Sequence, residues 1–221
     1  MTISEAMEQR HSVRQYNDKT IEAEKISAIE KLISECNSES GLNIQLVTNE
    51  PKAFESTMAH YGKFSGVTNY IAMIGEKSAG LDEKIGYYGE KLVLELQMMG
   101  LNSCWVAMTY SKTQGAFSIT DKEKLVVVIP FGYGKNQGVP HKSKPIESLC
   151  KVSGDMPEWF KSGMKYAALA PTAMNQQKFS FSLDGNKVAA KAGLAFYSKV
   201  DLGIVKYHFE LGAGKNNFTW A

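Results

Sequence analysis

Residues 10 to 16, "RHSVRQY", place two arginines and a serine at alternate positions. In an extended chain, residues i, i+2 and i+4 project to the same side, so Arg10, Ser12 and Arg14 are predicted to share one face. The planar guanidinium group of arginine forms paired hydrogen bonds with a phosphate or a carboxylate. The spacing therefore predicts an anion-binding face, and a solvated surface segment is the alternative interpretation.

A second stretch whose residues could bind a ligand is "LAPTAMNQQKFSF", residues 169 to 181. Proline, threonine, asparagine and two glutamines stand between a predicted helix and a predicted strand. Such a rigid polar loop presents amide and hydroxyl groups at a small entropic cost, which suits a planar ligand rich in heteroatoms. The alternative is a helix stop, because proline and asparagine also end helices for local reasons.

A third stretch, "GYGKNQGVPHKSKPIESL" at residues 132 to 149, follows a predicted buried strand and contains Lys142 and Lys144. The spacing of two residues lets both ammonium groups face one way in an extended segment. They are predicted to neutralise phosphate charge, and an exposed loop with ordinary lysines is the alternative.

Helices and strands must position these stretches. Thr2-x-x-Glu5 predicts a capping box that opens a short helix ahead of Arg10. Further helices are predicted from Thr20, over 82–100, and from Asp155 with Pro157 in the first turn. Strands are predicted at 43–48, 69–75, 103–108 ("SCWVAM"), 124–133 and 179–183. The mixture predicts an α+β or mixed α/β fold.

A weak internal repeat suggests that the chain contains two related halves. Gly89-x10-Gly100-x-Asn102 recurs as Gly203-x10-Gly214-x-Asn216, and a tryptophan follows each copy. We expect a single domain over 1–221 with approximate halves 1–150 and 151–221, related by a pseudo-two-fold axis.

The composition excludes several classes of protein. The 221 residues suit one domain, and 25 basic against 23 acidic residues give a net charge of +2, which argues against a nucleic-acid binder. Three cysteines without a CxxC pair and four histidines without metal spacing argue against a zinc site and favour a reducing compartment. No signal peptide and no apolar run of roughly 18 residues are present, so we expect a cytoplasmic protein without a membrane span.

Taken together, these stretches resemble the FMN-dependent nitroreductase family. The Arg-x-Ser-x-Arg/Lys pattern of that family corresponds to residues 10–14, and its Pro-Ser-x-x-Asn-x-Gln-Pro-Trp pattern stands here as "PTAMNQQKF" at 171–179. Its Gly-Leu before a strand corresponds to "MMGLNSCWVAM". Its Lys-x-Arg followed by proline stands here as Lys142-Ser143-Lys144-Pro145. The resemblance implies a nitroreductase-like, mostly antiparallel sheet flanked by helices.

One departure from the family pattern concerns the order of the motifs. In ordinary members the Pro-Ser-x-x-Asn loop follows the first long helix, where this chain has "CNSESGLN". The family homodimer grips its flavin with the arginine motif of one subunit and this loop of the other. A chain with two halves carries both motifs, so the resemblance implies a monomer that forms an internal pseudo-dimer, with a true homodimer as the alternative. The second half-site is expected to be lost, because "SGDMPEWF" contains no arginine motif.

The resemblance implies that the chain binds FMN through a defined set of residues. The basic residues and Ser12 would hold the phosphate and part of the ribityl chain, the proline loop would line the isoalloxazine edge, and the backbone near residue 107 would lie by flavin N5. The expected cofactor-binding residues are Arg10, His11, Ser12, Arg14, Ala107, Met108, Lys142, Lys144, Pro171, Thr172, Ala173 and Asn175.

The implied activity is that of an FMN-dependent NAD(P)H oxidoreductase. Hydride from NADH or NADPH would reach flavin N5 and then pass, in a ping-pong cycle, to a small nitroaromatic or quinone-like acceptor. No catalytic side chain is required. A dehalogenase-like or flavin-fragmenting enzyme is one alternative. A non-catalytic flavin-binding protein, a store or a sensor, is another, and Lys178 and Phe179 in place of the usual Pro-Trp make it less remote.

Overall fold

The computed structural model describes residues 1–140, 142–152 and 154–221. Its helices are α1 (Ile3–Gln9), α2 (Ala23–Ser40), α3 (Thr57–Tyr61), α4 (Leu81–Met98), α5 (Glu158–Ala167) and α6 (Ser198–Ala213). Its strands are β1 (Gln45–Val47), β2 (Tyr70–Glu76), β3 (Asn102–Ser103), β4 (Glu123–Gly132), β5 (Cys150–Val152), β6 (Phe179–Asp184), β7 (Lys187–Ala192) and β8 (Thr219–Trp220). The predicted α+β class, with antiparallel strands and flanking helices, is confirmed.

The chain divides into two compact units. Unit 1 contains Met1, Arg10–Leu81 and Leu92–Pro140, and unit 2 contains Thr2–Gln9, Asp82–Lys91 and the described residues of His141–Ala221. Helix α4 supplies residues to both units. The predicted halves, 1–150 and 151–221, stay a prediction. Among the described residues, no helix combines the length and the hydropathy that a membrane span requires.

The sheet of unit 1 has the strand order β1-β2-β4-β3, and every neighbouring pair is antiparallel. Strand β2 is buried from Tyr70 to Gly75, as expected for a strand that reads as a continuous apolar run. The predictions of strands at 43–48, 69–75 and 124–133 are confirmed, although the first is shorter than predicted.

The prediction of a strand over 103–108 is wrong after its first residue. Strand β3 ends at Ser103, and Val106 forms only an isolated bridge with Val128. Cys104 donates its backbone N–H to the carbonyl of Pro130 at 3.2 Å, but proline has no N–H to return. The break in the ladder is therefore caused by the residue opposite, Pro130.

The predicted helix starts are partly wrong. The capping box is confirmed, because the Thr2 N–H donates to Glu5 Oε2 at 2.7 Å and the Glu5 N–H donates to Thr2 Oγ1 at 3.3 Å. Helix α2 begins after Glu22 rather than at Thr20, since Ile21 is buried in an extended segment before it. Helix α5 begins after Pro157, so neither Thr20 nor Asp155 is a cap.

Unit 2 contains a mixed sheet in the order β5-β6-β7-β8. Strands β6 and β7 form an antiparallel hairpin around Gly185, whereas the β5-β6 and β7-β8 pairs are parallel. Helix α6 is buried over most of its length and is the central helix of this unit.

Two glycines allow helices α4 and α6 to cross in backbone contact within unit 2. A Cβ atom on Gly203 would lie 1.9 Å from the carbonyl oxygen of Glu83, and one on Gly86 would lie 2.0 Å from that of Val200. Any side chain at either position would force the helices apart.

A buried polar pair joins the same two helices. His208 Nε2 lies 2.8 Å from Glu90 Oε1, and both side chains are fully buried. His208 Nδ1 lies 3.1 Å from the carbonyl oxygen of Tyr166, which can only accept, so Nδ1 carries a proton and donates it. The Glu90 carboxyl group therefore faces Nε2, and one proton lies between the two groups.

We predict that Glu90→Ala lowers the free energy of unfolding by about 3–5 kcal/mol, because it leaves a buried imidazole nitrogen without its partner. Glu90→Gln keeps the shape and a hydrogen bond, so its loss should be smaller. Urea unfolding of the full chain measures both. Glu30→Ala, at an exposed position of α2, is the control and should change stability by less than about 0.5 kcal/mol. Equal stability of the Glu90→Ala protein and the unsubstituted chain would contradict the role given to this pair.

Candidate ligand-binding site

Residues 10–16, the arginine segment, are held in an extended conformation by backbone hydrogen bonds in unit 1. Ser12 forms a parallel bridge with Ser103, and the Val13 N–H donates to the carbonyl of Ser103 at 3.0 Å. Further along, the Tyr16 N–H donates to the carbonyl of Ser65 at 2.9 Å. The extended conformation inferred from the alternate spacing is thus the one observed.

Tyr16 anchors the end of the arginine segment in the core. Its side chain is 2% exposed, and its hydroxyl group lies 2.7 Å from the carbonyl oxygen of Val13 and 3.1 Å from that of Pro130. Burial raises the pKa of Tyr16 well above its ordinary value, so the group stays a neutral donor. The segment is therefore tied to strand β4 as well as to Ser103.

All three alternate side chains influence the thiol of Cys104. Burial raises the pKa of this thiol, and the charge of Arg14, a hydrogen bond with Ser12 and the charge of Arg10 all oppose that rise. All three residues therefore lie close enough to act on the same sulfur atom. The predicted common face of Arg10, Ser12 and Arg14 is consistent with this arrangement.

The two arginines differ in their exposure. Arg10 is 4% exposed, whereas Arg14 is exposed and its guanidinium carbon lies 6.0 Å from the centroid of the Phe64 ring. That distance is at the limit of a cation–π contact, which orients the guanidinium group without consuming its N–H donors. Arg14 can therefore reach a ligand from solvent, whereas Arg10 acts from the protein side.

Arg14 opens onto a hollow of about 410 Å³, which we call the arginine hollow. Its lining combines two cations, three aromatic rings and a stretch of backbone. The residues are Arg14, Tyr61, Gly62, Lys63, Phe64, Trp105, Val106, Ala107 and Thr109. Of the expected cofactor-binding residues, Arg14 and Ala107 share this hollow, and Met108 adjoins Ala107 with 67% of its surface exposed.

The sequence analysis did not anticipate Lys63 and Tyr61. Lys63 has a φ of 61°, a left-handed conformation that is unfavourable for a residue with a side chain and is often found near functional sites. Tyr61 is 82% exposed at the end of α3. Neither residue lies in a spaced pattern, so only the fold brings them to the hollow.

His11 contacts a neighbouring loop rather than the arginine hollow. Its Nδ1 lies 3.2 Å from the carbonyl oxygen of Gln137, so this nitrogen carries a proton and donates it. The observed contact ties the arginine segment to the loop after β4. A cofactor-binding role for His11 stays a prediction.

A larger hollow of about 820 Å³ also lies in unit 1, between the start of α2 and the ends of β1 and β2. None of the expected cofactor-binding residues lines it. Lys19 at its rim pairs with Glu22 at 3.1 Å, which offsets its charge. We place the candidate site at the smaller hollow because it combines Arg14 and Lys63 with aromatic rings.

In unit 2, the proline loop (residues 171–177) has an unusual backbone. Met174, Asn175 and Gln177 have φ values of 51°, 53° and 46°, all in the left-handed region. Such conformations persist in residues other than glycine only when surrounding contacts fix them.

Gln177 supplies several of these contacts and was missed as a site residue. It is 4% exposed, its Nε2 donates to the carbonyl of Lys142 at 2.9 Å, and its Oε1 accepts the N–H of Lys144 at 2.7 Å. Asn175 Nδ2 also donates to the Lys142 carbonyl, at 3.1 Å. The glutamine of the family pattern, which Gln177 matches, could have revealed it.

These bonds bring together the lysine stretch and the proline loop. The Lys144 ammonium group donates to the carbonyls of Gln176 and Gln177 at 3.0 and 3.3 Å, while Lys142 is exposed. Pro171, Thr172 and Ala173 are half-buried. His141, in the same stretch, lies outside the described residues.

The part of the chain that the structure describes contains no cluster of three or more residues suited to a metal ion.

Several solved structures share the fold of this chain. A "putative nitroreductase" from Thermotoga maritima is 25% identical, with a TM-score of 0.69, 98% of this chain covered and 85% of that chain. A "putative nitroreductase in complex with FMN" from Desulfovibrio desulfuricans is 15% identical, with a TM-score of 0.53, covering 71% of this chain and 99% of that one. A "putative NADH dehydrogenase/NAD(P)H nitroreductase" from Parabacteroides distasonis is 23% identical, with a TM-score of 0.53, covering 66% of this chain and 95% of that one.

No curated protein matches the sequence. The family described as "Putative TM nitroreductase" matches residues 2–213, nearly the whole chain. The protein therefore belongs to this nitroreductase family.

Proposed function

We propose that the protein is an FMN-dependent NAD(P)H oxidoreductase that reduces small nitroaromatic or quinone-like acceptors. The observation that carries the proposal is that Arg10, Ser12 and Arg14 all act on the thiol of Cys104, while Arg14 also lines the arginine hollow. Membership of the nitroreductase family and the FMN-bound relative from Desulfovibrio desulfuricans support it.

The residues of unit 1 fit the phosphate of FMN. A phosphate monoester carries nearly two negative charges at neutral pH and offers several acceptor oxygens. Two arginines, which remain protonated at any physiological pH, and a serine hydroxyl match both its charge and its acceptors. Lys63 lines the arginine hollow together with Arg14 and adds a cation there.

The arginine hollow also fits a planar ring system. Tyr61, Phe64 and Trp105 contribute aromatic rings, and the backbone at Ala107 and Met108 is proposed to contact the ring edge. When bound, the flavin accepts hydride from NADH or NADPH and passes it to the acceptor. The protein's task is to bind and orient the flavin, so no acid or nucleophile is required.

The lysine stretch and the proline loop of unit 2 are proposed to contribute further flavin contacts through Lys142, Lys144, Pro171, Thr172, Ala173 and Asn175. The hydrogen bonds that gather these residues support the proposal.

Because one chain carries both motifs, we propose a monomer that binds one FMN. We also propose a cytoplasmic location.

The flavin content of the purified protein tests the function. We expect a yellow protein that releases one FMN per chain on heating, runs as a monomer by light scattering, and is bleached by NADH or NADPH without oxygen. Reoxidation by a nitroaromatic or a quinone completes the cycle. Protein that binds FMN but is reduced by neither nucleotide would be the non-catalytic alternative, and protein that binds no FMN would refute the proposal.

We predict that Arg14→Ala raises the dissociation constant of FMN by about 10- to 100-fold, because hydrogen bonds to charged groups are worth about 1.5–3 kcal/mol. The dissociation constant of Arg14→Lys should lie between those of the unsubstituted protein and Arg14→Ala, since lysine keeps the charge but loses the paired hydrogen-bond geometry. Fluorescence titration of apoprotein measures the change.

Lys122→Ala removes an exposed cation of the same unit and serves as the control. Its affinity should match that of the unsubstituted protein. Unchanged affinity in both Arg10→Ala and Arg14→Ala would rule out the phosphate assignment.

A further inference from the structure

A buried carboxylate at the start of α6 binds the proline loop at two points. Asp201 is 3% exposed. Its Oδ1 accepts the N–H of Ala173 at 2.9 Å, and its Oδ2 accepts Nε2 of Gln176 at 2.6 Å. Both donors belong to the proline loop, so one side chain of α6 holds the loop through main chain and side chain.

Gln176 extends this contact to a second loop. Its Nε2 also donates to the carbonyl of Phe196 at 2.8 Å. An amide nitrogen has two hydrogens, so one is directed to Asp201 and the other to Phe196. The opposite orientation of the amide would point its oxygen at two acceptors. The side chain of Gln176 therefore has one allowed orientation while Asp201 is ionised.

Both loops that Gln176 joins have unfavourable backbone conformations. Met174 and Asn175 in the proline loop are left-handed, and so is Tyr197, with a φ of 54°, immediately before α6. Such residues relax when the contacts that fix them are lost. The hydrogen bonds of Asp201 and Gln176 lie between these left-handed residues and are placed to fix them.

We propose that Asp201 and Gln176 are positioning residues, which hold the proline loop in the conformation in which it binds its ligand. The identity of that ligand as FMN rests on the proposed function. The positioning itself is a property of unit 2 and can be measured without any ligand.

The ionisation of Asp201 supplies a direct readout. Burial raises its pKa from an ordinary value of 3.8 to about 6, while the bonds from Gln176 and Ala173 oppose the rise. Among the described residues, no ionisable neighbour contributes to this shift. Above pH 6 both oxygens accept, but below it one oxygen carries a proton and faces an N–H donor. The hold on the loop should therefore weaken as the pH falls through about 6.

Global stability should change in the opposite direction. The folded chain binds this proton more tightly than the unfolded chain does, so Asp201 makes the free energy of unfolding fall as the pH rises from about 4 to about 6. A merely structural residue would change loop order and global stability in the same direction. Loss of loop order at low pH together with a gain in global stability therefore indicates a positioning role.

The first experiment is an NMR titration of the full chain without added ligand, from about pH 5 to about pH 8. The side-chain amide of Gln176 and the backbone amide of Ala173 should shift with a midpoint near 6. Asp201→Asn should abolish both titrations. Asp184→Asn, at an exposed turn of the same unit, is the matched control and should leave both unchanged. Amides that do not titrate, or that titrate equally in Asp201→Asn, would overturn the proposal.

The second experiment measures FMN affinity in the unsubstituted protein, Asp201→Asn and Gln176→Met. At pH 8 both substitutions should raise the dissociation constant by roughly tenfold, because Asn removes the charge of the acceptor and Met removes the N–H donors that fix the loop. The phosphate of FMN also titrates near pH 6, so the readout is the difference in pH profile between the unsubstituted protein and Asp201→Asn.

The two experiments separate failure of the function from failure of the positioning. If no form of the protein binds FMN, the proposed function fails and the amide titration alone decides the positioning role. If FMN binds and both variants match the unsubstituted protein at every pH, the positioning proposal is wrong. A cooperative urea unfolding transition in each variant would show that the variants remain folded.

Discussion

The backbone hydrogen bonding of the arginine segment is the constraint on which the candidate site depends. Bonds to Ser103 and Ser65, together with the buried hydroxyl of Tyr16, leave the segment one extended path. Side chains alternate along an extended chain, and Arg10, Ser12 and Arg14 all act on the thiol of Cys104. Main-chain geometry therefore fixes the backbone positions from which these three side chains extend.

Unit 2 reaches a comparable rigidity by another route, the buried polar groups of α6. His208 pairs with Glu90, Glu210 accepts from Trp220 at 2.8 Å, and Asp201 holds the proline loop. Each of these groups would destabilise the fold if it were buried without a partner. A helix whose polar side chains are satisfied only in one arrangement fixes the loops attached to it, and this is how left-handed residues persist there.

Sequence patterns predicted those structural features that are determined by residues close together in the chain. The extended arginine segment, the capping box and the long helix followed from spacing alone, whereas the break after Ser103 depends on Pro130, a residue on another strand. The role of Asp201 depends on distant partners and had no local signature. Gln177 also bonds to distant partners, but the family pattern could have revealed it. The glycines of the weak internal repeat can also be explained by their local positions. Gly100 and Gly214, with φ values of 77° and 76°, both follow helix ends, where such a conformation is common.

The two sets of ligand-binding candidates should respond differently to pH, because they are held by different chemistry. Arginine does not titrate in the physiological range, and the main-chain bonds that direct Arg10 and Arg14 involve no ionisable group. The proline loop is held instead by the carboxylate of Asp201, whose pKa of about 6 lies within reach of cellular conditions. Apart from the ligand's own titration, any pH dependence of binding should therefore originate in unit 2. We therefore expect the arginine segment to act independently of pH, whereas the order of the proline loop should depend on the ionisation of Asp201.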